Sequence, residues 1–342
     1  MSRRGILVYA ETIGSEIHPV TFELIGKARE LAEKLDLEVW STILGYGIAD
    51  KAAELIYHGA DKVYVYDDER LRDLNVIAHK SALVELAKEI EPEIFLLGAT
   101  PWGRSLAPRI AAALDTGLTA DCIDLQIDED GELLQIRPAF TGNILAHIKT
   151  SSRPIMATIR YRVMKMPQRD PSRKGEIIIR KFNDVDCDGI KCLGKVSERK
   201  ISLADAEIVV AGGRGLKKKE DLVLLEELAN LLGGVVGVSR PLVEEGWISK
   251  DHQVGFSGNV VKPKLYIACG ISGSPQHLAG MRDSGMIIAV NSDPSAPIFR
   301  HADYGVVADL YEFIPKLILL LKNRNEMWEK RAKYHAHATH YR

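Results

Sequence analysis

The residues whose types and spacing best suit chemistry lie at positions 270–277, GISGSPQH. Two glycines permit a close approach of the backbone to a ligand, and two serines add hydroxyls. Pro275 suits the first turn of a helix, which places His277 near the positive N-terminal pole. A histidine here is either a packing residue or a ligand contact, and its small polar neighbours favour the contact. The segment therefore predicts a binding site for a ligand such as a dinucleotide.

Polar residues also stand at the ends of other short apolar runs in the final third of the chain. They are residues 212–215 (GGRG), Ser239 with Arg240, residues 253–257 (QVGFS), Asn291 and Asp309. Because the carboxyl ends of parallel strands lie along one edge of an open sheet, these residues are expected to hold a dinucleotide together. GGRG alone is weak evidence, since a surface turn explains it equally well. The first strand–helix turn, TIGSEIHP, lacks the G-x-G-x-x-G pattern.

The elements that position these residues follow from hydrophobic periodicity. In the first half, strand and helix patterns alternate, which predicts a parallel sheet with helices on both faces. The predicted strands of this half are at 6–9, 38–44, 63–66, 94–98, 122–127, 132–137, 144–149 and 155–159. Its predicted helices are at 20–35, 50–58, 75–89 and 106–114. A turn at residues 128–131 makes the strands on either side of it a predicted hairpin.

A second alternation of strands and helices begins at residue 201. Its predicted strands are at 208–211, 235–238, 265–269, 286–290 and 304–307, and its predicted helices are at 220–232 and 310–322. A polar segment with little periodicity, residues 164–200, separates the two alternations. We therefore predict α/β domains over residues 1–200 and 201–322, followed by a polar tail over residues 323–342.

The composition is that of a soluble globular protein, with 46% hydrophobic and 27% charged residues in a chain of 342. A formal net charge of −2 gives no reason to expect nucleic acid, and the lysines at 217–219 are the solvated start of a helix. No apolar run reaches the length of a membrane span. The chain has four cysteines, Cys122, Cys187, Cys192 and Cys269. They form neither a disulfide framework nor a complete metal site.

These features predict a reduced, cytoplasmic protein without a metal. The polar tail contains three histidines, His335, His337 and His340. An unanchored tail rarely preforms a metal site, so these histidines are expected to be solvated.

Three motifs in the final third are characteristic in combination. They are QHLAGM at 276–281, N-x-D-P-x-A-P-I-F at 291–299 and ADYG at 302–305. With these motifs, and over nearly its whole length, the chain resembles the α subunit of electron transfer flavoproteins. The resemblance implies an α/β fold with an N-terminal parallel-sheet, nucleotide-hydrolase-like domain and a C-terminal Rossmann-like FAD-binding domain. It also implies a heterodimer with a β subunit, on which the N-terminal domain packs.

The same resemblance implies which residues surround one FAD in the C-terminal domain. They are Arg214, Ser239, Arg240, Gln253, Val254, Gly255, Phe256, Ser257, Gly270, Ser272, Gly273, Ser274, Pro275, Gln276, His277, Asn291, Asp309 and Leu310. His277 is expected at the N1 and O2 edge of the flavin, where an imidazole N–H favours the negative charge that reduction brings. Arg240 beside the ring favours the same charge, and Ser257 is expected to bind N5. None of these residues is expected to act as a nucleophile.

Two pairs of residues depart from the family pattern. Phe256 and Ser257 stand where family members usually have Gln and Thr, so a hydroxyl is retained while an aromatic ring replaces an amide. This change is expected to alter the flavin potential or the docking of the domain. Ser274 and Pro275 replace a usual Ala-Ile pair, which is expected to change the backbone only slightly.

The N-terminal half resembles the electron-bifurcating subclass of the family. The resemblance lies in residues 99–122 (ATPWGRSLAPRIAAALDTGLTADC) and 137–143 (RPAFTGN). In that subclass the β subunit holds a second FAD in place of AMP, NADH reduces this FAD, and Arg137 is a candidate contact to it. Alternatively, Arg104, Arg109 and Arg137 serve only the subunit interface.

The implied function is that of an electron carrier subunit. It passes electrons between NADH or a flavin dehydrogenase, such as an acyl-CoA dehydrogenase, and a second acceptor, which in bifurcation is ferredoxin or flavodoxin. One alternative is a simple shuttle with one FAD and one AMP. Another is a nucleotide-binding regulatory subunit without redox chemistry, which glycine-rich strand ends alone would permit.

Overall fold

The computed structural model describes residues 5–14, 16–139, 144–183 and 203–338, with side chains described up to residue 324. The chain divides into two units, residues 1–196 and 197–342. Each unit is an α/β structure built on its own parallel sheet, which confirms the predicted fold class. Cys187, Cys192, the side chains of the tail histidines and the predicted domain boundary near residue 200 lie outside the described part.

The N-terminal unit follows the predicted alternation of strands and helices. Its described strands are β1 Gly5–Ala10, β2 Thr12–Ile13, β3 Glu16–Ile17, β4 Glu38–Gly45, β5 Lys62–Asp67, β6 Ile94–Gly98, β7 Leu118–Cys122, β8 Asp124–Ile127, β9 Leu133–Ala139, β10 Ile144–Ile148, β11 Ile155–Ile159 and β12 Glu176–Ile179. Its helices are α1 Val20–Leu35, α2 Ala52–Tyr57, α3 Val76–Ile90 and α4 Pro101–Ala113, with 3-10 turns at Ala49–Lys51 and Glu69–Leu71. The predictions for α1, β6 and β11 agree residue for residue.

The central strand β1 shows how this unit is layered. Within the described part, seven parallel strands form the main sheet in the order β12-β5-β4-β1-β6-β11-β7. Ile6 and Val8 of β1 pack with side chains of α1 and α2, whereas Leu7 and Tyr9 pack with side chains of α3 and α4. Helices therefore cover both faces, as an all-parallel sheet requires.

Several elements of this unit differ from the sequence prediction: β2, β3 and β12 were not predicted, and two further differences, β7 and α4, are informative. β7 was not predicted, because LTADC mixes polar and apolar residues; it pairs in parallel with β11 at the end of the sheet. α4 begins at Pro101 rather than at residue 106, because Thr100 caps it by accepting a hydrogen bond from Gly103 N over 2.9 Å. The predicted hairpin is confirmed, since β8 and β9 are antiparallel, and β10 pairs with the other side of β9.

A buried hydrogen bond joins the carboxyl ends of β1 and β6, where the order of strands reverses. Glu11 follows β1 and is 5% exposed, and Thr100 Oγ1 donates to its carboxylate over 2.6 Å. Burial raises the pKa of Glu11 to about 7, while the hydrogen bond from Thr100 opposes the shift. This position therefore carries a carboxyl group that ionises near neutral pH.

We expect Glu11→Gln to stabilise the protein above pH 7. The folded state raises the pKa of Glu11 from 4.5 to about 7, so the native carboxyl binds a proton that the unfolded chain releases, and stability falls as pH rises through this window. Glutamine still accepts from Thr100 but has no charge to bury, so the free energy of unfolding should rise by up to about 3 kcal/mol at pH 8. Urea denaturation at pH 5 and pH 8 measures it.

The exposed Glu129 provides the control for this experiment, because Glu129→Gln changes the same charge on the surface. Its free energy of unfolding should match that of the wild type at both pH values. An equal gain for Glu11→Gln at pH 5 and pH 8 would contradict the assigned ionisation.

The C-terminal unit repeats the alternation with fewer strands. Its described strands are β13 Ile208–Gly212, β14 Val235–Val238, β15 Leu265–Cys269, β16 Ile287–Asn291 and β17 Tyr304–Val307. Its helices are α5 Leu222–Leu232, α6 Arg240–Glu244, α7 Pro275–Leu278 and α8 Leu310–Ala338, with 3-10 turns at Lys219–Asp221, Lys250–His252 and Pro297–Arg300. α8 runs past the predicted end at residue 322, because residues 323–338 are mostly helix formers such as Ala, Glu, Lys and Arg.

The strand order of this unit creates one reversal point. The parallel strands are arranged β14-β13-β15-β16-β17. The chain moves from β13 to β14 on one side, then crosses back past β13 to place β15 on its other side. In such sheets a crevice opens between the loops that follow the two strands at the reversal, here β13 and β15.

The two faces of this sheet are covered differently. Long helices cover one face, where Val210 of β13 packs in a cluster with Leu225 of α5 and Ile314 of α8. On the other face, Val209 and Ala211 share a cluster with Val254, Ile271, Leu278 and Ile298. These four residues belong to loops and short helices around the crevice, so the core of this face is built from the segments that line it.

Candidate functional site

A cleft of about 880 Å³ lies at the reversal point of the C-terminal sheet. Its size falls within the range of cofactor pockets. Its lining comes from the loops after β13, β14, β15 and β16 and from the loop after the 3-10 turn Lys250–His252. The lining residues are Gly213, Arg214, Gly215, Ser239, Arg240, Pro241, Glu244, Gln253, Val254, Gly255, Phe256, Ser257, Gly270, Ile271, Ser272, Gly273, Ser274, Gln276, His277, Asn291, Asp293, Ala296 and Pro297.

The floor of the cleft is formed where the backbone of the loop after β13 packs against the backbone of the loop after β15. Gly213 N donates to Cys269 O over 3.0 Å, and Gly215 N donates to Gly270 O over 2.9 Å. A Cβ on Gly213 would lie 2.4 Å from Gly270 O, and one on Gly215 would lie 2.6 Å from Gly270 Cα. GGRG is therefore not a plain surface turn, because its glycines allow two strand-end loops to touch.

The loop that carries Phe256 and Ser257 is tied to the loop that carries His277. Phe256 N donates to Gln276 O over 2.8 Å. Gly255 has a φ of +146°, and a Cβ on Gly280 would lie 2.4 Å from Gly255 Cα. The Phe256 ring itself is 54% exposed. The hydroxyl and the imidazole singled out in the sequence are thus brought to the same cleft by main-chain contacts.

His277 is buried at the edge of the cleft and is neutral at physiological pH. It is 5% exposed, and its Nε2 lies 2.9 Å from the hydroxyl of the fully buried Tyr266. Burial lowers the pKa of His277 to about 4, and the nearby Val254 backbone opposes the shift. Its Nδ1 is buried without a hydrogen-bond partner among the described residues. Apart from this effect of the Val254 backbone, no described residue engages Nδ1.

Three charged or polar side chains at the rim differ in their contacts and exposure. Arg240 Nε donates to Glu244 Oε1 over 2.8 Å, and the Arg240 side chain is 64% exposed. Asn291 Nδ2 donates to Ile271 O over 2.9 Å, and its Oδ1 accepts from Asp293 N, so Asn291 fastens two loops. Arg214 is exposed at the rim.

Every residue predicted for the site lines this cleft except Pro275, Asp309 and Leu310. Pro275 is the first residue of α7. Asp309 Oδ1 accepts from Tyr311 N over 2.8 Å at the start of α8. Leu310 is buried and packs under the glycine loops, since its Cδ2 would lie 2.9 Å from a Cβ on Gly270.

Some lining residues were missed by sequence reasoning. Glu244, which pairs with Arg240 four residues earlier on α6, was not predicted, because it is not at the end of an apolar run. Asp293, Ala296 and Pro297 belong to the N-x-D-P-x-A-P-I-F motif, which was recognised as a family signature without a site role. That motif was the available signal.

The arginines of interest in the N-terminal unit have different surroundings. Arg104 Nε donates to Ala99 O over 2.9 Å, and Arg109 contacts Ser105 one helical turn away. Arg137 Nε is buried and has no hydrogen-bond partner among the described residues.

Comparison with known proteins decides the family. A model described as an electron transfer flavoprotein domain matches residues 6–185, and one described as an electron transfer flavoprotein FAD-binding domain matches residues 202–282. An electron transfer flavoprotein subunit alpha from Thermoanaerobacterium thermosaccharolyticum is 48% identical over 325 residues, covering 93% of this chain and 98% of the relative. This chain belongs to the electron transfer flavoprotein α-subunit family.

Two other relatives of this α subunit have more specific names. The subunit LctC of a lactate dehydrogenase (NAD(+),ferredoxin) from Acetobacterium woodii is 45% identical over 93% of this chain and 77% of the relative. A protein FixB from Clostridium saccharobutylicum is 44% identical over 93% of this chain and 96% of the relative. The resemblance read from the sequence motifs is confirmed.

The cleft of this α subunit fits the FAD that its C-terminal domain model names. It combines glycine loops, hydroxyls and an arginine with a buried imidazole nitrogen that makes no hydrogen bond by geometry within the described part of the chain. Such donors suit a phosphate-bearing ligand with ring acceptors. No group of three His, Cys, Asp or Glu side chains in the described part could hold a metal ion, and no helix there is long and apolar enough to cross a membrane.

We expect Gly273→Ala to damage both stability and the cleft. Gly273 has a φ of +88°, and a Cβ there would lie 2.4 Å from Ile298 N, which is backbone that cannot move aside. The free energy of unfolding should fall by about 2–4 kcal/mol, and ligand binding in the cleft should weaken with it. Urea denaturation measures the first and FAD titration the second.

The variant Gly233→Ala is the control for this test, because it adds the backbone strain of a positive φ without a steric clash. The φ of Gly233 is +70° at the end of α5, but a Cβ there would meet nothing within 4 Å. Gly233→Ala should therefore cost about 1 kcal/mol and leave FAD binding intact. Equal losses in the two variants would show that the contact with Ile298 is unimportant.

Proposed function

We propose that this α subunit holds one FAD in the C-terminal cleft and, as a heterodimer with a β subunit, passes electrons from a donor to an acceptor. The observation that carries the proposal is the convergence of glycine loops, Ser257 and His277 on one cleft at the sheet reversal. Bound FAD would supply the redox chemistry. The chain itself binds it, orients it and sets the electrostatic surroundings.

Each rim residue has a distinct physical role in this proposal. With Nε2 of the neutral His277 ring accepting from the Tyr266 hydroxyl, Nδ1 would carry the ring hydrogen and could donate to an acceptor on the ligand without burying a full charge. The exposed Arg240 places a positive charge near the ligand, and its ion pair with Glu244 weakens that charge. Ser257 contributes a hydroxyl to the same cleft. The glycine floor lets the backbone lie against the ligand.

We further propose that the heterodimer bifurcates electrons. NADH would reduce a second FAD in the β subunit, one electron would pass to ferredoxin or flavodoxin, and the other would reach a flavin dehydrogenase by way of the α-subunit FAD. Support comes from residues 99–122 and 137–143 and from the 45% identity to a subunit of an NAD- and ferredoxin-dependent lactate dehydrogenase. Arg137 is proposed as a contact to this second FAD on the family resemblance alone. A cytoplasmic location remains a prediction.

A simple electron shuttle is the second candidate, with one FAD in the α subunit and one AMP in the β subunit. The relatives include α subunits whose names specify only electron transfer, such as that of Megasphaera elsdenii at 45% identity. A non-redox regulatory subunit is disfavoured, because the family model for the C-terminal domain is one for FAD binding.

Counting the nucleotides in the purified heterodimer tests these proposals. The α subunit is co-purified with its β subunit, the complex is denatured, and released FAD and AMP are quantified by absorbance and chromatography. Two FAD and no AMP are expected for bifurcation. One FAD with one AMP would refute bifurcation and leave the shuttle. No flavin after reconstitution with FAD would refute the FAD site itself.

We expect Arg240→Gln to lower the reduction potential of the α-subunit FAD. Removing a positive charge beside the flavin disfavours the negative charge that reduction brings, by about 1 kcal/mol for an exposed group. This corresponds to ~40 mV for a one-electron couple. Glu244→Gln removes the partner that weakens Arg240 and should shift the potential upward. Potentiometric titration measures both, and shifts of the same sign would contradict the role given to Arg240.

A further inference from the structure

A buried amide contacts a hydroxyl that lines the cleft. Gln253 Nε2 donates to Ser257 Oγ over 3.0 Å. Gln253 is only 4% exposed, whereas Ser257, four residues later, is exposed. Both residues line the cleft. The amide is therefore placed to act on a ligand contact through the hydroxyl.

The main chain fixes the position of Gln253. Its N–H donates to Lys250 O over 3.0 Å, and its carbonyl accepts from Asn259 N over 2.7 Å and from Asn259 Nδ2 over 3.1 Å. Gln253 also pairs with Val238 as an isolated bridge to the end of β14. The backbone from which the amide reaches Ser257 is thus held on both sides.

The direction of this hydrogen bond determines where the hydroxyl hydrogen points. A serine hydroxyl has one hydrogen and two lone pairs, and an amide –NH₂ can only donate. Since Nε2 uses a lone pair of Oγ, the O–H of Ser257 must point away from Gln253. Among the described residues no other group accepts it.

We propose that Gln253 is a positioning residue that holds the Ser257 hydroxyl as a hydrogen-bond donor directed into the cleft. The proposal rests on the proposed function, because the ligand is taken to be FAD. A fixed donor selects a ligand atom with a free lone pair and disfavours the same atom once it carries a proton. If that atom is flavin N5, as the family resemblance implies for Ser257, Gln253 opposes protonation there.

The variant Gln253→Glu tests the proposal, because it reverses the direction of the hydrogen bond between residue 253 and the Ser257 hydroxyl. A carboxylate only accepts, so the Ser257 hydroxyl should turn toward it and away from the ligand. In the full α subunit with its β subunit, stripped of flavin and titrated with FAD, Ser257→Ala should raise the dissociation constant about fivefold, as for one neutral hydrogen bond. Gln253→Glu should raise it at least as much. Adding Ser257→Ala to Gln253→Glu should cost nothing further.

The matched control is Gln276→Glu, which adds the same negative charge at another glutamine of the same cleft. Its effect on the dissociation constant should add to that of Ser257→Ala, because Gln276 has no contact with the Ser257 hydroxyl among the described residues. This control separates repulsion of the FAD phosphates from the turning of the hydroxyl. Gln253→Met, which keeps the side-chain length but cannot donate, should give a smaller loss and is used if Gln253→Glu does not fold.

A second measurement reports the hydrogen bond itself. With FAD labelled with ¹⁵N at N5, Gln253→Glu and Ser257→Ala should move the N5 resonance in the same direction, and Gln276→Glu should leave it in place. Additive losses for Gln253→Glu and Ser257→Ala, with different N5 shifts, would overturn the proposal. Absence of FAD binding by the wild type would instead refute the proposed function, so the two failures are distinguishable.

Discussion

The site depends on a contact between two pieces of backbone. Gly213 and Gly215 after β13 lie against Gly270 after β15, at distances that no side chain could share. This contact forms the floor of the cleft at the point where the strand order reverses. The side chain of the buried Leu310 packs against the same glycines. The loops that carry Ser257 and His277 are then set around this floor by their own main-chain bonds. Backbone geometry thus brings the functional loops together, and side-chain contacts such as Gln253 with Ser257 then orient individual groups.

The two units use the same topological feature in opposite ways. In the N-terminal sheet, the reversal point between β1 and β6 is bridged by a buried carboxyl–hydroxyl pair, Glu11 with Thr100. In the C-terminal sheet, the corresponding point between β13 and β15 is lined with glycines and opens into a cleft. A buried acidic group repels phosphate, whereas exposed backbone N–H groups attract it. The chemistry of the strand ends, not the topology, distinguishes the two.

Much of this arrangement could be predicted from the sequence. Strands such as β6, β11 and β15 are short apolar runs bounded by turn residues, and their limits follow directly from that pattern. β7 could not be predicted, because its strand character depends on pairing with β11 and not on its own residues. The same holds for the pairs Tyr266–His277 and Gln253–Ser257. Sequence places their members near a site, but only packing shows which atom meets which.

The unequal covering of the C-terminal sheet has a consequence for cofactor exchange. Val254, Ile271, Leu278 and Ile298 belong at once to the cleft segments and to the hydrophobic core beneath them. These segments cannot swing open as a lid does, because opening would expose core side chains to water. A ligand enclosed by them leaves only as fast as that part of the core loosens. We therefore expect slow release, which would suit a carrier that must retain its cofactor over many turnovers.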